Sequence, residues 1–197
     1  MRNIIVYIGN FSFPYGNASG SRVYANGCVL RDLGYKVSFI GLDNKLNSDS
    51  KLQNTKASFN GFDYYNFPYP QSIKGWLLYK KRYNEFSSLF EKEKLEAIVM
   101  YGSPTVSLFG NLIRKWCIKQ DVKYIVDCVD WLSGGTGSIV YRLIKTIDNN
   151  YQKRILNSKS DGVITISSFL SEYYKSRGCR SVVIPPLIEL KKFQKIN

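Results

Sequence analysis

Residues 161–189 constrain the fold most, because strand and helix signals alternate there within a short span. Residues 162–166 are apolar and largely β-branched with no polar alternation, which is typical of a strand buried on both faces of a parallel sheet. Ser167 and Ser168 can cap the free amides of a following helix, and Gly178 can end that helix in the left-handed conformation. The segment therefore predicts a strand, a capped helix and a tight helix end.

The same alternation runs along the rest of the chain. A second strand of the same buried type, at 181–184, stops at Pro185 and Pro186, which cannot donate to a strand ladder. Gly34 likewise separates the first helix from the strand after it. The pattern predicts an α/β fold with an open, doubly wound parallel sheet of about six or seven strands and helices on both faces. Predicted strands are 3–8, 35–41, 62–67, 97–101, 124–129, 162–166 and 181–184, and predicted helices follow the 9–20 loop to about residue 33 and span about 73–92, 104–120 and 138–157.

Composition limits the class of protein and the chemistry. The 197 residues fit one domain, and 44% hydrophobic content is enough for a single core. No apolar run reaches the ~18 residues that span a bilayer, and the first three residues lead into a strand instead of a signal-peptide block. The four cysteines form no C-x-x-C pair and histidine is absent, which excludes Ser-His-Asp and Cys-His catalysis. We therefore expect a cytoplasmic domain with reduced thiols and no metal site.

Basic residues outnumber acidic ones by 28 to 15, which gives a net charge of +13 and favours anionic partners. The densest basic stretch, residues 74–82, interleaves cations with large aromatic residues on a predicted helix. This helix either lies in the interface of an anionic leaflet or is an ordinary surface helix with its aromatic residues in the core. No nucleic-acid motif is visible, so nucleic acid is not an expected partner. The candidate membrane contacts are Lys74, Trp76, Lys80, Lys81 and Arg82.

Three motifs stand in an order and spacing found in a known enzyme family. They are residues 34–37 (GYKV) after the first helix, residues 160–167 (SDGVITIS) before a later helix, and residues 184–189 (IPPLIE) near the end. Together they resemble the G-H-x-V, A-D-x-V-I-x-x-S and I-P-N-G-V-D motifs in the N-terminal, acceptor-side domain of family-4 glycosyltransferases of the GT-B fold. The likeness covers nearly the whole chain.

The resemblance implies a single Rossmann-like domain over residues 1–190, with residues 191–197 beginning a linker. A C-terminal domain, in the same chain or supplied as a separate one, would bind the nucleotide-sugar donor. The implied activity is retaining transfer of a hexose to a saccharide or lipid-linked acceptor in surface polysaccharide or glycolipid synthesis, and this half alone is expected to be inactive. No cofactor or metal is expected, since positive side chains and helix dipoles can manage the leaving diphosphate. The implied location is the cytoplasm, peripheral on the inner membrane face.

The loop after the first strand departs from the family pattern but keeps small residues. The family's glycine pair is replaced by residues 17–22 (NASGSR), which still permit a ligand to approach a helix N-terminus closely. Arg22 can add a guanidinium fork for an anion. The alternative is an ordinary solvated loop. Candidate substrate-binding residues here are Gly16, Ser19, Gly20, Ser21 and Arg22.

Two carboxylates lie at the end of the predicted strand 124–129, where open α/β sheets bind their ligands. Asp127 or Asp130 can accept the proton of an attacking sugar hydroxyl, and Trp131 can stack on a sugar ring or a lipid. The two carboxylates are three residues apart, so in extended backbone only one faces the cleft. Alternatively, Asp127 caps a turn or pairs with an arginine. Further candidate ligand contacts at strand ends are Gly102, Ser103, Ser167 and Ser168.

Two other functions fit the same residues. The domain is alternatively a non-catalytic membrane adaptor subunit of a split glycosyltransferase, recruiting a donor-binding partner through its basic aromatic helix. A further interpretation is a flavodoxin-like, nucleotide-binding regulatory domain. Binding to vesicles without regard to lipid charge would argue against the adaptor, and a bound flavin or tight nucleotide binding would support the regulatory domain.

Overall fold

Eight strands form one sheet across the residues that the structure, a computed structural model, describes: 3–102, 106–130 and 139–187. The strands are β1 (Ile4–Gly9), β2 (Lys36–Asp43), β3 (Ala57–Phe59), β4 (Phe62–Pro68), β5 (Leu95–Tyr101), β6 (Lys123–Cys128), β7 (Gly162–Thr165) and β8 (Ser181–Val183). Their order in the sheet is β3-β4-β2-β1-β5-β6-β7-β8. β3 pairs antiparallel with β4, and the other pairs are parallel. The predicted doubly wound sheet is confirmed, with one strand beyond the expected six or seven.

Helices cover both faces of this sheet, as predicted. They are α1 (Ala18–Asp32), α2 (Ile73–Leu78), α3 (Arg82–Phe90), α4 (Asn111–Gln120), α5 (Ile139–Tyr151) and α6 (Ser168–Lys175). On one face, Val23 and Tyr24 of α1 belong to one core cluster with Ile5 and Tyr7 of β1. A second cluster on the opposite face joins the alternate strand residues to α3, α4 and α6. Burial of one large apolar side chain contributes about 1.5–3 kcal/mol, so these two clusters hold the layers together.

The β7-α6-β8 unit forms much as the sequence predicts. The Ser167 hydroxyl caps α6 by accepting from the Leu170 amide, and Gly178 takes φ +78° just after the helix. The prediction of a second fully buried strand is wrong for β8. β8 is an edge strand with a single neighbour, and Val182 is 53% exposed. An apolar run alone does not distinguish an edge strand from a central one.

A hairpin at the other edge of the sheet was not predicted. β3 and β4 are joined by Asn60 and Gly61, which both take positive φ angles, 47° and 82°. Two residues of positive φ make the tight turn whose twist matches a hairpin, and Asn-Gly is its strongest sequence signal. The strand of three residues is too short to show an alternating pattern.

The predicted helix 73–92 is interrupted in the structure. α2 ends at Leu78, a 3-10 turn occupies Tyr79–Lys81, and α3 follows. The later predicted helices begin or end in wider π-type turns, Val106–Gly110 before α4 and Gln152–Leu156 after α5. Helix periodicity predicts each helical segment but not where the helix changes from α to 3-10 or π geometry.

The described helices are each too short or too polar to cross a lipid bilayer. All four cysteines lie in described segments, and each is a free thiol. Burial raises the pKa of Cys117 to about 12, so this thiol stays protonated near neutral pH.

Candidate functional site

The strand order changes direction between β1 and β5, which creates a crevice at their carboxyl ends. Gly9 and Tyr101 are register partners there, and the Asn10 amide donates to the Tyr101 carbonyl at 3.0 Å. A Cβ on Gly9 would lie 2.2 Å from the Tyr101 carbonyl oxygen, so glycine permits this close approach. Ligands of open α/β sheets bind at such a switch point.

The loop between β1 and α1 forms one wall of the crevice. Asn17 caps α1 by accepting from the Gly20 amide at 2.8 Å. A Cβ on Gly20 would lie 2.1 Å from the Ser12 carbonyl oxygen, so the first turn of α1 packs directly on this loop. The predicted contacts differ in accessibility: Gly16 and Ser21 are exposed and Gly20 is buried.

Ser19 is the member of this group with a contact across the crevice. It is half-buried, and its hydroxyl accepts from the Tyr101 hydroxyl at 3.2 Å. Burial is the main cause that raises the pKa of Tyr101, and the nearby charges of Asp127 and Asp130 raise it further. Tyr101 therefore remains a neutral hydroxyl near neutral pH, able to donate a hydrogen bond to a ligand.

Asp127 lies at the centre of a buried polar cluster behind the crevice. Its side chain has no exposed surface. Oδ1 accepts from Arg22 Nη2 at 2.9 Å, and Oδ2 accepts from the Tyr7 hydroxyl at 2.6 Å and from Asn26 Nδ2 at 3.2 Å. Burial and the neighbouring carboxylate raise the pKa of Tyr7, so its proton stays on the phenol. We call these four residues the Asp127 cluster.

Arg22 extends the Asp127 cluster to the far end of the sheet. Its Nη1 donates to the Ile184 carbonyl at 3.0 Å and lies 3.4 Å from the Pro185 carbonyl. One side chain therefore joins α1, β6 and the segment after β8. The guanidinium fork that we predicted for a substrate anion is directed instead at Asp127 and these carbonyls. The arginine pair that the sequence left open as an alternative for Asp127 is present.

Asp127 and Asp130 thus have opposite environments. Asp130 is exposed just beyond the end of β6, whereas a ligand reaches Asp127 only if the cluster opens. Whether Asp130 faces the cleft stays a prediction. The part that either carboxylate takes in catalysis stays a prediction.

The other predicted contacts lie along the same edge of the sheet. Gly102 takes φ +60° directly after β5, and Ser168 is exposed at the start of α6. The Ser167 hydroxyl is engaged as the cap of α6, so its ligand role would compete with this cap. Ser103 and Trp131 lie outside the described residues.

The predicted membrane contacts divide into exposed and buried residues. Lys74, Lys80 and Lys81 are exposed, but Trp76 is only 7% exposed and faces the interior. Arg82 donates to Glu85 at 2.6 Å and to the carbonyls of Ser48 and Ser50. For Trp76, the alternative of an ordinary surface helix with its aromatic residues in the core is therefore the one that applies. The lysines remain available to an anionic surface. Arg82 also lines a cavity.

This cavity was not found from the sequence. It has a volume of about 780 Å³ and lies at the carboxyl ends of β2 and β4, on the same edge of the sheet as the crevice. Hydroxyls and ammonium groups line it, a combination that suits a saccharide or an anionic group. The sequence signal that could have indicated this cavity is the pair of polar loops that follow two predicted strands. Its polar lining includes Ser48, Tyr69, Ser72, Lys74 and Lys81.

Among the described residues, the side chains of histidine, cysteine, aspartate and glutamate nowhere converge in groups of three that can hold a metal ion. The described charged groups are instead Asp130 at the crevice, with Asp127 and Arg22 buried behind it. The arrangement can donate hydrogen bonds from Tyr101 and Ser19 and accept a proton at Asp130. These groups fit the orientation of a hydroxylated ligand.

No protein-family model matches the sequence, and a search of curated proteins found no match. Solved structures with the same fold do exist. Sucrose-phosphate synthase from Thermosynechococcus elongatus matches with a TM-score of 0.65 and 16% identity over 96% of this chain and 49% of that one. The catalytic domain of starch synthase IV from Arabidopsis thaliana, bound to ADP and acarbose, matches with a TM-score of 0.58 and 14% identity over 98% and 53%.

The fold is shared with an enzyme of another kind. UDP-N-acetylglucosamine 2-epimerase from Rickettsia bellii matches with a TM-score of 0.51 and 14% identity over 94% of this chain and 45% of that one. The chain spans about half the length of each of these structures. At such identities the likeness establishes the fold alone. The chain has the Rossmann-like α/β fold of one half of a GT-B enzyme.

Proposed function

We propose that this chain is the acceptor-binding half of a glycosyltransferase that uses a nucleotide-sugar donor. The observation that carries the proposal is the match of nearly the whole chain to about half of GT-B enzymes, including a sucrose-phosphate synthase and a starch synthase bound to ADP. The sequence motifs at residues 34–37, 160–167 and 184–189 support the N-terminal half. The donor-binding half would be a further domain or a separate chain.

The carboxyl edge of the sheet supplies the groups for the acceptor. We assign the acceptor hydroxyl to the crevice, where Tyr101 and Ser19 can orient it and Asp130 can take its proton. As the acceptor oxygen forms a bond to the anomeric carbon, the bond from that carbon to the donor phosphate breaks on the same face of the sugar, so the configuration at that carbon is retained. The nucleoside diphosphate leaves, and the hydroxyl proton passes to the carboxylate. Asp127 then has a positioning role, because its cluster holds α1 and β6 together behind the crevice.

The finer features follow from the resemblance. We propose retaining transfer to a saccharide or lipid-linked acceptor in surface polysaccharide or glycolipid synthesis, with no metal ion. Without a facing half the crevice is open to water, and a reactive donor cannot be enclosed. We therefore expect no transfer by this chain alone. Binding of an acceptor does not need the other half and can be measured directly.

A titration followed by nuclear magnetic resonance tests the proposal on the 197-residue chain. We expect oligosaccharides or lipid-linked saccharides to shift the amide signals of Ser19, Tyr101 and Asp130, with nucleotides binding more weakly. Asp130→Asn should weaken binding, while Asp32→Asn, an exposed carboxylate on α1, serves as the matched control. Tight binding of a flavin or nucleotide, with no saccharide bound at the crevice, would instead favour a regulatory domain.

Transfer itself requires the donor-binding half. With that half supplied, we expect radiolabelled sugar to pass from the nucleotide sugar to the acceptor found in the titration. Asp130→Asn should reduce the rate by about 100-fold or more, the usual contribution of a general base. Full transfer by both Asp127→Asn and Asp130→Asn would contradict a carboxylate base at this edge.

A further inference from the structure

Helix α5 is amphipathic, but its polar side faces the protein. Asp148 and Asn149 are buried, and the Lys145 ammonium lies 5.8 Å from the centroid of the Trp76 ring. Burial lowers the pKa of Lys145. The apolar residues are exposed instead, by 59 to 83%: Ile139, Val140, Leu143 and Ile147. A surface helix that contacts only water on its outer side buries its apolar residues and exposes its polar ones.

The four exposed side chains form one strip, which we call the outer face of α5. At 100° per residue, they lie within an arc of about 100° along the helix. Lys145 and Asp148 project from the opposite side of the helix. Isolated exposed apolar residues are common on proteins, but a contiguous strip of branched side chains marks a contact surface.

Positive charge lies near the outer face. Residues 139–147 (IVYRLIKTI) contain no acidic residue, Arg142 is exposed at one edge of the strip, and Arg154 is exposed beyond its end. The contact between Lys145 and Trp76 places α5 beside α2. The segment of α2 and its 3-10 turn, residues 73–82, also lacks acidic residues and exposes three lysines. An apolar strip with cations at its borders is complementary to an anionic lipid surface.

A second copy of this chain is a poorer partner. Each chain carries a net charge of +13, and two such surfaces would repel one another. The neighbouring helix α2 also exposes apolar residues: Ile73, Leu77 and Leu78 are each 38 to 43% exposed. Together, charge and apolar area favour lipid over a copy of the same surface.

We propose that the outer face of α5 docks in the headgroup region of an anionic lipid bilayer, with Arg142 and the lysines of α2 and its 3-10 turn on lipid phosphates. The inference depends on the proposed function in one respect: docking on a membrane would bring the chain to a lipid-linked acceptor. Lipid binding does not require transfer. The surface differs from the helix singled out in the sequence, since its apolar part belongs to α5.

Vesicle co-sedimentation of the 197-residue chain tests the proposal. We expect binding to phosphatidylcholine vesicles that contain phosphatidylglycerol and weak binding to phosphatidylcholine alone. Leu143→Ser with Ile147→Ser should reduce the partition coefficient by about tenfold or more, because two side chains no longer enter the bilayer. The matched control is Leu33→Ser with Ile118→Ser, which changes two equally exposed apolar residues, 69% and 63%, on α1's end and α4. The partition coefficient of the control variant should stay within about twofold of that of the unchanged chain.

The charged border is tested separately. Replacing Lys74, Lys80 and Lys81 by glutamine should weaken binding to anionic vesicles by about fivefold per residue, as expected for cations near such a surface. Circular dichroism confirms that each variant is folded. Equal losses in the α5 variant and its control, or binding that ignores lipid charge, would overturn the proposal.

Other occupants give distinct results. If the unchanged chain is a dimer in sedimentation velocity and Leu143→Ser with Ile147→Ser makes it a monomer, the outer face is a protein interface and the lipid proposal is wrong. A monomer that binds anionic vesicles supports it. Vesicle binding without any saccharide binding would overturn the proposed function but support the lipid-binding surface. Saccharide binding without vesicle binding would support the proposed function and overturn the lipid-binding surface.

Discussion

Replacing Arg22 by methionine should destabilise the domain strongly. Methionine keeps much of the length and apolar stem of arginine but removes its charge and donors. The Arg22 side chain is 6% exposed, and the Asp127 side chain has no exposure. Among the described residues, the donors that remain for this interior carboxylate are then the Tyr7 hydroxyl and the Asn26 amide.

The magnitude follows from the burial of the pair. Removal of one partner of a buried ion pair costs about 3–5 kcal/mol, because the remaining charge is uncompensated. The Ile184 carbonyl also loses its 3.0 Å hydrogen bond, which adds about 1 kcal/mol at most if water can replace the donor. For a domain of this size, 3–5 kcal/mol corresponds to a decrease of about 6–20 °C in Tm.

Urea denaturation followed by tryptophan fluorescence measures this loss, and a double-mutant cycle assigns its cause. Asp127→Asn should also destabilise the domain, because it leaves the Arg22 charge buried. The double variant carries neither charge, so it should lose less than the sum of the two single losses by about 1–3 kcal/mol. Additive losses within about 0.5 kcal/mol, or a loss below about 1 kcal/mol for Arg22→Met, would refute the role given to this pair.

Three further outcomes are expected. Gly20→Ala should lower the free energy of unfolding by about 1–3 kcal/mol in urea titrations, although alanine favours helices, since its Cβ would lie 2.1 Å from the Ser12 carbonyl oxygen. Gly162→Ala, with its nearest contact at 3.5 Å, should change it by less than about 1 kcal/mol. Burial raises the pKa of Tyr24 from 10.0 to about 12, so the folded state holds this proton more tightly and stability should fall as pH rises from 10 to 12; a Tyr24→Phe variant with the same slope would contradict this.

The local elements of the fold could be predicted because their signals lie in adjacent residues. The strand, serine cap and glycine end of β7 and α6 depend on local backbone chemistry, and the structure reproduces them. The same is true of Gly34, which takes φ +92° after α1. The β3–β4 hairpin had an equally local signal in Asn60 and Gly61, and attention to that pair would have predicted it.

The site depends on contacts that no local pattern contains. The sequence placed Asp127 at a strand end and allowed an arginine partner, but it could not say that Arg22, 105 positions earlier, is that partner. Helix periodicity predicted a helix near residues 138–157 without indicating which side faces the protein. The burial of Asp148 and the exposure of Ile147 are decided by the neighbouring elements.

The Asp127 cluster has a consequence for synthesis of the chain on the ribosome. Arg22 emerges 105 residues before Asp127 and 162 before Ile184. At a translation rate of about 5–20 residues per second, Asp127 is synthesised roughly 5–20 s after Arg22, and the Ile184 carbonyl after β8 follows later still. Until β6 is translated, docking of α1 on β1 would bury an unpaired cation. A nascent chain that stalls in this interval therefore exposes open strand edges and apolar surface, and it is the form most in need of a chaperone.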